Sequence, residues 1–348
     1  MRASAGIFYD WLNSNNYEQT LRVNGLRQQE LNITDPSYPD PGNLGVAPPT
    51  NKYLLGDDLR MARNVRFSAG IDRAITSRIR VGTTYARVKG SRLMRGLNLN
   101  PPVDGVRANA VFGNIVEVIG DASSLQHTLN TFLQVNILPP SPNPGKERWN
   151  WKRTNFGVNY QLGKLENNTD GAFAVPATGS LAAEWGPASS GVRQRFNVFF
   201  LTQALRNANV NFNVSMASAA HYTIKTGRDD NGDLIFNDRP DGTGRNSVRA
   251  DGFFNLNGNF SYSFFFGKRK IQLPPGIMIN GAPGSFNVQQ TQIDPLPRFR
   301  LNVFVNAQNL TNHRNYTGFS GTLSSPFFGR ATTVLGMRKV DMGMGFNF

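Results

Sequence analysis

A chain of 348 residues with a net charge of +14 is long enough for a large core, yet only 17% of its residues are charged and 39% are hydrophobic. Soluble domains carry about a quarter charged residues. Gly (35) and Pro (20) are abundant beside 25 Phe, and cysteine is absent, which excludes disulfides, thiolate metal centres and catalytic thiols. The basic residues are scattered, with no Lys/Arg tract, so no nucleic-acid partner is expected. Such an excess suits a pore lumen or anionic lipid head groups. No segment approaches the ~20 apolar residues of a transmembrane helix. A membrane protein of this sequence would therefore cross as a closed barrel. The N-terminal MRASAGIFYDW lacks a secretory stretch, so an exported chain with this start is expected to be a fragment.

Period-two patterning predicts eleven strands: 3–11, 18–30, 62–75, 78–90, 126–137, 150–165, 192–204, 209–224, 252–266, 298–310 and 337–348. The pattern is plainest in three of them. Val210, Phe212, Val214 and Met216 alternate with Asn209, Asn211, Asn213 and Ser215. Phe254, Leu256, Gly258, Phe260, Tyr262, Phe264 and Phe266 alternate with Asn255, Asn257, Asn259, Ser261 and Ser263. Phe299, Leu301, Val303, Val305 and Ala307 alternate with Arg300, Asn302, Asn306 and Gln308. One face is thus oily and the other amide, hydroxyl or cationic. A soluble β-sandwich also alternates. Strands of about ten residues with Asn, Ser, Gln and Arg faces favour a bilayer-crossing wall around water.

The last strand carries Val340, Met342, Met344, Phe346 and Phe348 on one face. Met342, Met344, Phe346 and Phe348 resemble the terminal signal that outer-membrane assembly machinery reads. In a soluble protein such an apolar edge would invite aggregation. Working back from a periplasmic C-terminus, the long connections 31–61, 91–125, 166–191, 225–251 and 311–336 all fall at the extracellular end. The shorter ones at 12–17, 76–77, 138–149 and 205–208 fall at the other end, where Trp11, Trp149 and Trp151 are expected to form a girdle. Residues 267–297 break the parity, and a hairpin near 276–281 and 285–292 would restore it.

These segments resemble the barrel of TonB-dependent receptors with a carboxypeptidase-regulatory-like N-terminal domain. The resemblance is carried by AGIFYDW (5–11), YEQTLRVNGLRQQELNI (17–33), HTLNTFLQVNI (127–137) and RWNWKRTNFGVNYQLG (148–163). It continues through ENNTDGAFAVPATGSLAAEWGP (166–187), TGRDDNGDLIFNDRPDGTGRNS (226–247), NAQNLTNHRNY (306–316), SSPFFGRA (324–331) and the terminal GMGFNF. It implies an all-β antiparallel transmembrane barrel of about 22 strands filled by a plug. Residues 1–348 would supply its C-terminal half, about 11–13 strands with long extracellular loops. The carboxypeptidase-like domain, plug, TonB-contacting box and early strands have no counterpart in the sequence. The implied setting is the outer membrane of a Gram-negative-type bacterium. The implied partners are outer-membrane lipid and lipopolysaccharide, the plug and missing strands, TonB through the missing part, and the assembly machinery.

Candidate chemistry is sparse, and no enzyme is expected. Asp229, Asp230, Asn231, Asp233, Asn237 and Asp238 place oxygen ligands around a Gly turn, as calcium loops do, but lack the spacing and bidentate Glu of an EF-hand. Asx and Gly residues also build tight turns, which Arg228, Arg239 and Arg245 could hold. His127, His221 and His313 lie far apart, and GFSG (318–321) misses the nucleophile-elbow spacing. Arg66, Arg80, Arg195 and Arg300, with Asp72 and Asp341, are expected to face the lumen and to contact solute or plug. Tyr38, Tyr53 and Trp185 sit in loops suited to ligand capture. The expected role is binding and import of a large scarce solute (oligosaccharide, peptide or metal chelate) by the full-length receptor. The alternatives are a passive pore or adhesion barrel, and a secreted carbohydrate-binding β-protein.

Overall fold

The computed structural model describes residues 1–30, 49–137, 147–268, 278–280, 287–289 and 297–348. Ten long strands form one antiparallel meander in chain order. They are β1 (Arg2–Asp10), β2 (Ala62–Ala74), β3 (Ile79–Asn98), β4 (Phe112–Asn136) and β5 (Thr154–Asn167), followed by β6 (Gln194–Thr202), β7 (Ala208–Ala217), β8 (Phe253–Lys268), β9 (Pro297–Gln308) and β10 (Lys339–Asn347). Each pairs with its predecessor and its successor, so β1 and β10 each have one partner and the sheet has two open edges.

The register places the oily side chains together. Val158 lies opposite Val198, Val198 opposite Val214, and Val214 opposite Leu256, while Phe260 faces both Val210 and Val305. Directly opposed residues share a face, so these contacts run as an uninterrupted outward apolar band. Among the described residues no water-excluding interior opposes it. Phe260, Phe264 and Phe346 are 43, 48 and 52% exposed, and among the described residues the buried apolar side chains are alanines and valines. Near the short-turn end, Phe266, Phe299 and Phe346 stack with ring centroids 5.6 to 6.0 Å apart, joining β8, β9 and β10.

Segment 18–30, expected as a strand, instead holds the second half of a helix, α1 (Ser14–Arg22), followed by a run of bends. Tyr17, Thr20 and Leu21 have i, i+3, i+4 spacing, Asn13 caps the first turn by accepting from the Asn15 amide at 3.0 Å, and Glu18 pairs with Arg22. Among the described residues the wall therefore has ten long strands. The connection 11–61 joins neighbours β1 and β2, so β1 runs towards the long-loop end, and Trp11 belongs there, away from the expected girdle. Trp149 does lie at the short-turn end, bridged to Leu205.

Most of the expected loop 91–125 is strand. β3 runs on to Asn98 and β4 starts at Phe112, with a bulge between Ser91 and Met94 where Arg92 takes φ 60°. The bulge breaks strict alternation, which hid the extension. Residues 278–280 and 287–289 do pair with each other, but outside the main sheet, in which β8 pairs directly with β9, so this pair does not restore the expected parity.

The inward face is polar with one unexpected component. Phe132, Phe199 and Phe304 point inward, each directly opposite a glycine: Gly82, Gly157 and Gly343. A Cβ on Gly157 would lie 2.1 Å from the Phe199 ring, so the ring rests on bare backbone.

Candidate functional site

Four connections at the long-loop end, residues 99–111, 168–193, 218–252 and 309–338, interlock into one cap. Its centre is a buried ion pair. The Arg239 guanidinium donates to both Glu184 carboxylate oxygens at 2.7 and 2.8 Å, and the two side chains are 8 and 7% exposed. The Ala177 amide donates to the same carboxylate at 3.1 Å. Beside it, Arg245 is 4% exposed and donates to the Glu184 carbonyl, the Asp170 carboxylate, and the carbonyl and side chain of Asn167. A buried arginine needs most of its five donors satisfied, and this one, carried by the 218–252 connection, gathers acceptors from the 168–193 connection and the top of β5.

The other connections are tied by similar bonds. Arg107 donates to the Asn100 carbonyl, to Asn114 and to the Asp233 carbonyl at 3.0 Å. Asn237 donates to the Val175 carbonyl at 2.8 Å. Lys225 exchanges backbone bonds with Gly321 and Leu323, and a Cβ on Gly321 would fall 1.9 Å from the Thr223 carbonyl oxygen. Only glycine allows those two connections to approach so closely.

The acidic cluster folds its own loop. Asp229 accepts from the Leu234 amide, Asn231 from Asp233, Asp233 from Ile235, and Asp238 from Asp230, at 2.7 to 3.0 Å. Burial pushes the Asp233 and Asp238 carboxyls above the usual carboxylate range, and the neighbouring Asp229 adds to both shifts. Among the described residues no three His, Asp or Glu side chains converge to hold a metal ion. Of the aromatic loop residues, Tyr53 is a strut. Its hydroxyl donates to Glu30 at 2.7 Å, its ring meets Phe173 edge-on at 5.1 Å, and burial raises its pKa. Trp185, Phe236 and Phe327 are 41, 46 and 56% exposed on the cap. Tyr38 lies outside the described residues.

All six expected lumen residues occupy the inward face. Asp72 draws in Arg80 at 3.9 Å and also Arg2 at 2.9 Å, a partner that alternation alone does not single out. Arg300 donates to Ser263 and lies 5.7 Å above the Phe265 ring, and Asp341 takes Lys339 at 3.3 Å. Arg66, opposite Gly6 and Val88, and Arg195, opposite Gln161 and Ala217, are exposed on that face. Buried acceptors Asp72 Oδ1, Asn155 Oδ1 and Asn255 Oδ1 have no hydrogen-bond partner among the described residues. The terminal residues Met342, Met344, Phe346 and Phe348 are 77, 78, 52 and 93% exposed. His127, His221 and His313 are engaged separately, by Tyr85, the Gly191 carbonyl and the Phe254 ring.

No protein-family model matches the chain, and none of the curated proteins does. Solved structures do. The outer membrane transporter YddB from Escherichia coli superposes with a TM-score of 0.52 at 11% identity, over 84% of this chain and 34% of that one. A mutant of the ferric enterobactin receptor from Pseudomonas aeruginosa gives 0.47 at 11% identity, over 84% and 32%. The FrpB iron transporter from Neisseria meningitidis gives 0.44 at 11%, over 84% and 32%. The likeness to the first is one of fold: an antiparallel wall with long connections at one end. The chain spans about a third of the length of these structures.

Proposed function

We propose that the chain is part of the wall and outer cap of an outer-membrane TonB-dependent receptor. In the full-length protein it would bind and import a large scarce solute. The observation that carries this reading is the pairing of an unshielded aliphatic and aromatic outer face with a cap held rigid by buried ion pairs. A lipid-facing wall needs the first. A recognition surface on loops needs the second, because preorganised loops lose less entropy on binding. The outward Trp185, Phe236 and Phe327 supply apolar contact for an oligosaccharide, peptide or metal chelate. The exposed Arg66 and Arg195 of the inward face suit a plug, which would be supplied with the remaining strands by another part of the receptor. The open edges of β1 and β10 are where those strands would join.

Because the chain has no cysteine, single thiols report its orientation without background. Asp241→Cys in the cap is expected to react with a membrane-impermeant maleimide on intact cells. Asn207→Cys in the short turn between β6 and β7 is expected to react only after permeabilisation. Equal labelling of both on intact cells, or of neither, would remove the outer-membrane reading.

A further inference from the structure

We infer that the short-turn end of the wall carries a docking surface for an acidic glycan with peptide stems, the chemistry of the bacterial cell wall. The inference rests on the outer-membrane reading above, which puts this end in the periplasm, and adds a partner to it. Residues 147–153, leading into β5, fold against 203–207, the turn between β6 and β7. The Asn150 amide donates to the Ala204 carbonyl at 2.7 Å, and the Arg206 amide donates to the Arg148 carbonyl at 2.9 Å. These two bonds flank the Trp149–Leu205 bridge and carry the β5–β6 pairing beyond the strands themselves.

Asn150 ties the chain between two indoles. Its side chain accepts from the Lys152 amide at 3.1 Å and donates to Glu147 at 2.9 Å, and its carbonyl accepts from the Arg153 amide at 3.1 Å. Trp149 and Trp151, 65 and 60% exposed, therefore stand on either side of a fixed residue. An indole that only anchors a wall in lipid needs no such fixing. One that stacks on a sugar ring gains from it, because less freedom is lost on binding.

Charge supplies the second half of the surface. The bridge sets Arg148 directly opposite Arg206, and Lys152 lies in the turn beside Trp151. All three are exposed, and none forms an ion pair among the described residues. Like charges directly opposed on two strands are destabilising, and a carboxylate between the guanidinium groups relieves them. Side chains alternate along the pair, so Trp149 and Leu205 share one face and the two arginines the other. A lipid head group comes from the bilayer side and meets one face only. A polymer lying below the strand ends meets both, sugar rings against indole and peptide carboxylates against arginine. A neutral glycan would leave the arginines opposed and unpaired.

The test mixes the full chain, folded in non-ionic detergent, with purified cell-wall sacculi and reads co-sedimentation. The same preparation is offered phosphatidylcholine vesicles, and flotation reads insertion. The parent is expected to sediment with native sacculi, and several-fold less with sacculi whose carboxylates are amidated. Trp149→Ala/Trp151→Ala is expected to weaken sedimentation at least about tenfold, while Trp149→Phe/Trp151→Phe stays within a few-fold of the parent. Arg148→Gln/Arg206→Gln is expected to weaken it about tenfold. Arg314→Gln/Arg330→Gln, exposed at the long-loop end, is expected to change nothing. All variants are expected to float as the parent does. Equal sedimentation with native and amidated sacculi, unchanged binding by the Ala or the Gln pair, or competition by phosphatidylglycerol in mixed micelles overturns the cell-wall surface. A parent that floats with vesicles yet ignores sacculi also overturns it, and leaves the outer-membrane reading standing. Failure to float as well overturns both.

Discussion

Arg245→Ala is expected to release the cap while leaving the wall folded. The guanidinium is 4% exposed and donates to the Glu184 carbonyl, to Asn167 and to the Asp170 carboxylate, so its removal strands two carbonyls under the cap and leaves half-exposed Asp170 to water. Breaking a buried charged network by deleting one partner costs about 3–5 kcal/mol. Here the loss is local, because no wall strand depends on Arg245 for its pairing. Amides of 168–191 and 225–247 are expected to exchange with deuterium at least about a hundredfold faster, whereas those of β5–β9 keep their protection. Arg239→Ala should act similarly through buried Glu184, whose carboxylate loses both guanidinium bonds and keeps only the one from the Ala177 amide. Unchanged exchange in both variants would mean that the connections are held by something other than these ion pairs.

The second large effect concerns the outer face. Val214 lies between Val198 and Leu256 on neighbouring strands, near the middle of the apolar band. Arginine facing lipid at mid-depth costs about 2–4 kcal/mol, and the cost falls towards zero near either interface. Val214→Arg is therefore expected to cut the folded fraction in lipid vesicles sharply. Asn213→Arg, one residue away and inward, is expected to leave it within about 1 kcal/mol of the parent, since inward substitutions meet water. The contrast between adjacent positions is the informative part, because both variants add the same charge.

Strand alternation made the wall readable from sequence. β7, β8 and β9 each keep two chemically distinct faces over their whole length, because one solvent differs from the other. Where both faces meet similar surroundings the signal fades. The upper parts of β3 and β4 lie beyond the band, with a bulge at Ser91–Met94 and the strand Thr50–Leu55 laid parallel against β4. Nothing in RGLNLN announces that. α1 was masked for a related reason: nine residues with a single buried position give helical spacing little room to outweigh alternation.

The inward arginines were legible because strand parity places them. The cap was legible only as a list of Asp, Asn, Gly and Arg. Which arginine meets which carboxylate depends on four connections far apart in sequence, and Glu184, the centre of the network, carried no local signal. The Gly–Phe pairs across β3–β4, β5–β6 and β9–β10 were hidden too, since a pair exists only once the register is known.

The most direct test of a lipid-facing wall is fluorescence quenching of single tryptophans by brominated lipid, in a chain whose four native tryptophans are replaced by phenylalanine. Phe264→Trp on the outer face should be quenched strongly by bromine on the acyl chain and hardly by aqueous iodide. Asn259→Trp on the inner face should show the reverse. Iodide quenching of both, or protection of the residue-264 indole from brominated chains, would mean that the oily side of these strands does not meet lipid.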